Sequence, residues 1–112
     1  ALQVLKDGSK LADCSPLPRR LLEARTLKGI SQKRLGILLG MEPSSASGRM
    51  NHYEKGRHTP DYPTLKRIAA ELGVPVTYFF CESDVVAEIV CQLERLTESE
   101  KRVLLSQLKS RE

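Results

Sequence analysis

An all-α fold is predicted from three observations. Apolar residues recur at helical spacing rather than strand spacing, caps and glycines punctuate the chain at short intervals, and an aromatic content of 4% with no Trp leaves a Leu-rich core. No alternating pattern is strong enough to compete. At 112 residues the chain is one domain with a short appendage, able to close a single small core.

The first fifteen residues hold no sustained period and carry an Asp7-Gly8 turn signal, so residues 1–15 are read as an arm, with a short strand around Val4 allowed. Pro16 and Pro18 favour a first helix starting near Pro18, continued by Leu21, Leu22, Arg25 and Leu27 and ended by Gly29. Ser31 is a good N-cap for a second helix from Gln32 to Leu39, with Leu35, Leu38 and Leu39 on one face and Gly40 as a left-handed stop. A third opens at Glu42-Pro43 and runs to Lys55 before Gly56. Ala46, Met50 and Tyr53 recur there at i, i+4 and i+7 and point inward.

Asp61 can cap a fourth helix whose apolar stripe is Leu65, Ile68, Ala69 and Leu72, ended by Gly73. A proline-started helical turn at Val74–Phe80 is expected to deliver two Phe to the core and completes a five-helix unit over residues 16–80. Residues 81–112 form a C-terminal helical hairpin. Ser83 caps its first helix, with Val85, Val86, Ile89, Val90 and Leu93. Thr97 and Glu100 make a capping box for the second, with Val103, Leu104 and Leu108.

Charge divides the chain. Between Ser15 and Arg67 there are eleven Lys/Arg against four Asp/Glu, and between Ile68 and Glu112 five against eight. A basic block joined to an acidic one suits a surface for a polyanion backed by a part with another task, although many ordinary domains are equally lopsided. No apolar run approaches the roughly 20 residues of a membrane span, and no signal peptide stands at the start, so a cytoplasmic protein is expected. Cys14, Cys81 and Cys91 lie apart and in no CxxC or Cys/His cluster. They are expected as reduced thiols, with no metal and no cofactor.

Between Gly29 and Phe80 an ordered set of short motifs carries a family likeness: Ile30-Ser31-Gln32, Leu35, Leu39-Gly40, Tyr53-Glu54-x-Gly56, Pro60, Thr64-Leu65-x-x-Ile68-Ala69 and Leu72-Gly73-Val74-Pro75. Each is weak alone, but the set resembles the Cro/lambda-repressor-like (XRE) helix-turn-helix family over about 65 of the 112 residues. The resemblance implies a lambda-repressor-like domain that binds double-stranded DNA as a transcription regulator, a repressor by expectation. It also implies a recognition helix around residues 43–55. The chain departs from the pattern between Gln32 and Glu54, where the spacing is one helical turn longer and the surplus lies around Glu42-Pro43-Ser44-Ser45.

With Ala46, Met50 and Tyr53 inward, the outward arc of that helix holds Ser44, Ser45, Gly48, Asn51, His52 and Lys55, flanked by Ser47 and Arg49. Short polar side chains, a glycine permitting close approach, and Arg and Asn as base-edge donors suit a reading surface, though an ordinary solvated face has similar composition. Gln32 resembles the family residue whose helix-start side chain reaches the DNA backbone; the alternative is a partner in the cap of its own helix. Lys28, Lys33, Arg57, His58 and Thr59 at neighbouring turns are candidate phosphate ligands, with Arg19 and Arg20 at lower weight. Glu54 is expected to be a structural acid paired with a base on a neighbouring helix.

Two other classes compete. An enzyme is disfavoured, because His52 and His58 are the only histidines and neither a Gly-rich phosphate loop nor a nucleophile motif is present. A protein-interaction module such as an antitoxin or coactivator can use the same fold, with the acidic C-terminal helices as its working end. Those helices carry more apolar surface than two short helices can bury against each other. The surplus covers the domain core, meets a second copy in a homodimer, or binds another protein; the homodimer is favoured.

Overall fold

The computed structural model describes residues 15–112, so the arm expected over residues 1–15, apart from Ser15, and Cys14 lie outside the described residues. Six α-helices and one 3-10 turn follow in order: α1 Leu17–Lys28, α2 Gln32–Leu38, α3 Pro43–Glu54, α4 Tyr62–Leu72, the 3-10 turn Val76–Phe80, α5 Asp84–Glu94 and α6 Glu98–Lys109. The fold is all-α, and the described residues contain no strand.

Local chemistry sets the boundaries. Ser31, Asp61, Ser83 and Thr97 each accept a hydrogen bond from the backbone N–H three residues on, capping α2, α4, α5 and α6. At α6 the Glu100 side chain also accepts from the Thr97 N–H, completing the capping box. Gly29 and Gly73 close α1 and α4 in the left-handed region, at φ 77° and 71°. A β-carbon would be strained there.

The core is the aliphatic cluster expected from composition. Leu21, Leu35, Ala46, Met50, Ile68 and Phe79 are fully enclosed, and each large side chain among them contributes about 1.5–3 kcal/mol by leaving water. Leu22 and Leu27 face solvent, because Leu17, Arg20, Leu21 and Ala24 occupy the inner stripe of α1. Two expectations about the core lining are corrected. Leu38 is also exposed, while Leu35 and Leu39 are buried. The 3-10 turn sends Phe79 and Tyr78 inward and leaves Phe80 outside, since at three residues per turn three consecutive side chains point in three directions and cannot all face the core.

Arg20 is the least expected member of the interior, with 1% of its side chain exposed. Its Nε donates to the Cys81 carbonyl at 2.8 Å, and its other nitrogens meet Glu23 at 3.1 Å and Asp84 at 3.0 Å. The guanidinium lies 5.6 Å from the centre of the Tyr78 ring. Burial works against this charge, but the hydrogen bonds and charges of Glu23 and Asp84 outweigh it and hold the pKa above its ordinary value. Burial, together with donation to the Glu23 carboxylate, also raises the Tyr78 hydroxyl and keeps it a donor. This placement overturns Arg20 as a phosphate ligand. Arg19 donates to the Glu82 carbonyl at 2.7 Å, with its side chain still 53% exposed.

The C-terminal helices bury little. In α5 only Ala87 is buried, and in α6 no residue is. Val85, Val86, Ile89, Val103, Leu105 and Leu108 are exposed.

Candidate nucleic-acid interface

The spacing of Ala46, Met50 and Glu54 along α3 turns one face of that helix inward and leaves the other open. Tyr53, expected inward, is half-buried, and Glu54 takes the deeper position. On the open side Ser44, Ser45, Ser47, Gly48 and Arg49 are exposed, Asn51 and His52 are half-buried, and Lys55 is exposed just past the helix end. The surplus residues 43–45 form the first turn of α3, with Pro43 at its first position.

The angle between α2 and α3 depends on one contact that the sequence reading passed over. Gly36, buried on α2, faces Ala46 so closely that an added β-carbon would lie 2.7 Å from the Ala46 Cβ and 3.0 Å from its Cα. Only glycine lets the two backbones approach this far. The available signal was an isolated glycine inside a helical run. Arg67 of α4 secures the far end of α2 by donating to the Leu39 carbonyl at 2.6 Å.

Beneath α3 lies a polar network. Arg25 of α1 grips Glu54 with two bonds, Nε to Oε2 at 2.5 Å and Nη2 to Oε1 at 3.0 Å, and donates to the Ile30 carbonyl at 3.0 Å. Arg25 is therefore the base expected to pair with Glu54. Gln32, at the start of α2, donates to Glu54 Oε1 at 2.9 Å and to Asn51 Oδ1 at 3.1 Å, and Ser47 donates to its Oε1 at 3.4 Å. Gln32 thus lies at the joint of three helices and orients Asn51, leaving the Asn51 amide N–H groups available to an outside acceptor.

The other candidates gather less tightly. Arg57, His58 and Thr59 are exposed in the turn after α3. The Arg57 and His58 N–H groups both bond the His52 carbonyl, and the two imidazole rings lie 5.1 Å apart. Lys33 is exposed on the first turn of α2 beside Gln32, whereas Lys28 lines a cleft facing α5. Among the described residues no ion pair involves Lys33, Arg49, Lys55 or Arg57, so these cations are solvated.

Comparison with known proteins bears on this arrangement. The family described as helix-turn-helix matches residues 21–79, from the middle of α1 to the 3-10 turn. The chain belongs to the XRE-like helix-turn-helix family. In helix-turn-helix terms, α2 is the bracing helix and α3 the protruding one. The crystal structure of transcriptional regulator BswR is similar, with a TM-score of 0.75 and 41% identity, over 84% of this chain and 93% of that one. No curated protein matches.

Proposed function

We propose that this helix-turn-helix chain is a sequence-specific regulator that reads double-stranded DNA with α3, binds as a homodimer and acts as a repressor. The carrying observation is the open face of α3, where Ser44, Ser45, Ser47, Arg49 and Asn51 stand over a brace of half-buried Gln32 and Arg25 on buried Glu54. A helix of this kind, roughly 10–12 Å across, fits a major groove about 12 Å wide. Arg49 and Asn51 supply base-edge donors, and Lys33, His52, Lys55, Arg57 and Thr59 border the groove as backbone ligands. Gln32, whose two amide N–H groups are engaged by Glu54 and Asn51, braces them. Repression follows from occupying an operator and needs no further surface. A DNA target is consistent with a cytoplasmic location, and among the described residues no helix is long and apolar enough to cross a membrane.

Selection from random DNA tests this reading. The wild-type chain is expected to enrich a defined motif. Arg49→Ala should relax that motif at one or two positions, losing about 1–3 kcal/mol on the best site. Lys33→Ala should keep the motif, weaken every sequence alike and lower the salt slope by about one. Failure of the wild type to enrich any motif overturns the function.

The homodimer draws its support from the apolar faces of α5 and α6, which none of the described residues covers. A two-fold pairing of these helices buries the same face on both copies and leaves each α3 free for one half-site. Light scattering at tens of micromolar is expected to give a dimer for the wild type and a monomer for Ile89→Glu combined with Leu108→Glu, both exposed positions. A monomeric wild type, with and without a palindromic site, removes the dimer.

A further inference from the structure

The start of α5 is fastened to α1 by charge and hydrogen bonding more than by apolar packing. The Asp84 carboxylate receives Arg20 Nη2 at 3.0 Å and Arg19 Nη1 at 3.5 Å. Two carbonyls just ahead of it, Cys81 and Glu82, accept from the same two arginines at 2.8 and 2.7 Å. Arg20 is held from its other side by Glu23 and the Tyr78 ring, so its guanidinium is a fixed post rather than a mobile surface group. Asp84 is the first residue of α5, so the clamp acts on the base of the helix.

Ala87 is the only buried residue of α5, and a cleft of about 510 Å³ runs between α1 and α5 from Arg20 and Asp84 past Ala87, with Ala24, Leu27, Leu72 and Cys91 in its wall. A helix packed along its length has its direction set by many side chains. Here, beyond Ala87, only Val90 and Cys91 pack half-buried against the core, so the direction rests on these three residues and on the clamp at Asp84. The same helix carries Val85, Val86 and Ile89, the apolar positions assigned above to the second copy. Its direction relative to α1 therefore fixes how far apart, and at what rotation, two α3 helices sit in a dimer.

We propose that Asp84 is a positioning residue for DNA specificity, setting the spacing between half-sites by pinning the base of the dimer helix to the DNA-binding helices. The proposal rests on the homodimeric DNA-binding reading. Moving one half-site by a base pair shifts it about 3.4 Å along the axis and rotates it around the duplex, so a fixed joint makes a sharp spacing preference and a loose one a broad preference.

The test measures affinity for two copies of the selected half-site at graded spacings, with the full chain, Asp84→Asn and Glu82→Gln. Asp84 is 82% exposed and Glu82 is exposed, so both variants fold, and both remove one negative charge beside the joint. Asp84→Asn is expected to lower the preference for the best spacing over its neighbours by about twofold to thirtyfold, the range for residues that couple two parts of a protein. Affinity for a single half-site, the half-site motif and the dimer mass should stay as in the wild type, and Glu82→Gln should keep the sharp profile. A merely structural residue would lower all affinities and leave the spacing profile unchanged. An unchanged profile for Asp84→Asn, equal flattening by Glu82→Gln, or loss of the dimer in Asp84→Asn overturns the proposal. If the wild type binds single half-sites with no spacing preference, the dimer reading itself fails, and that outcome is visible in the wild-type arm alone.

Discussion

Replacing Glu54 with alanine is expected to lower the unfolding free energy by about 3–5 kcal/mol, as for one partner removed from a buried pair. The Glu54 side chain is 3% exposed and that of Arg25 15%, so the guanidinium left behind regains little water. Gln32 Nε2 loses one of its two acceptors in the same step and keeps only Asn51. Set against a total stability of about 5–15 kcal/mol for a domain, this is a large share. Urea unfolding followed by circular dichroism reads the change. A loss under about 1 kcal/mol would mean that the pair behaves like a solvent-screened surface pair. Glu54→Gln should fall between wild type and alanine, since an amide oxygen can still accept from Gln32 but cannot neutralise Arg25.

The second large effect is at Gly36. Gly36→Ala places a carbon 2.7 Å from the Ala46 Cβ and 3.1 Å from its carbonyl oxygen. These neighbours belong to the helix backbone and a methyl group, so neither can swing aside. The helices must separate, at a loss of about 1–3 kcal/mol, and the tilt of α3 changes with them. Gly48→Ala is the natural contrast. Nothing stands within 4 Å of its added carbon, and relieving a glycine inside a helix should gain about 0.5–1 kcal/mol. The same chemical change at two helical glycines is thus expected to move the melting temperature in opposite directions. Equal shifts would remove the close α2–α3 approach as the determinant of their angle.

These two sites mark the limit of what the sequence discloses. Ser31, Asp61, Ser83 and the Thr97–Glu100 box act on backbone groups within three residues, so their roles were readable from local order. The left-handed glycines at 29, 40, 56 and 73 were readable for the same reason. The open arc of α3 was readable too, because helical period alone decides which residues lie opposite Ala46 and Met50. Which polar groups meet beneath it was not. Gln32 and Asn51 are brought together by the crossing of two helices, and that crossing depends on how close Gly36 lets them come. Arg20 was misread more fully. An arginine beside Arg19 on a basic helix looks solvated until Tyr78, Asp84 and the carbonyls of Cys81 and Glu82 arrive from far along the chain.

The bond from Gln32 to Asn51 also bears on how such a protein can change its target over generations. On the proposed reading, a substitution at Asn51 alters a base contact and at the same time releases Gln32 from the brace that it shares with Glu54. Ser44 and Arg49 lie outside this brace, so changes there alter recognition without disturbing the scaffold. On that reading, new operators are therefore reached most readily through Ser44, Ser45 and Arg49, while Asn51, tied to the frame, drifts only together with Gln32.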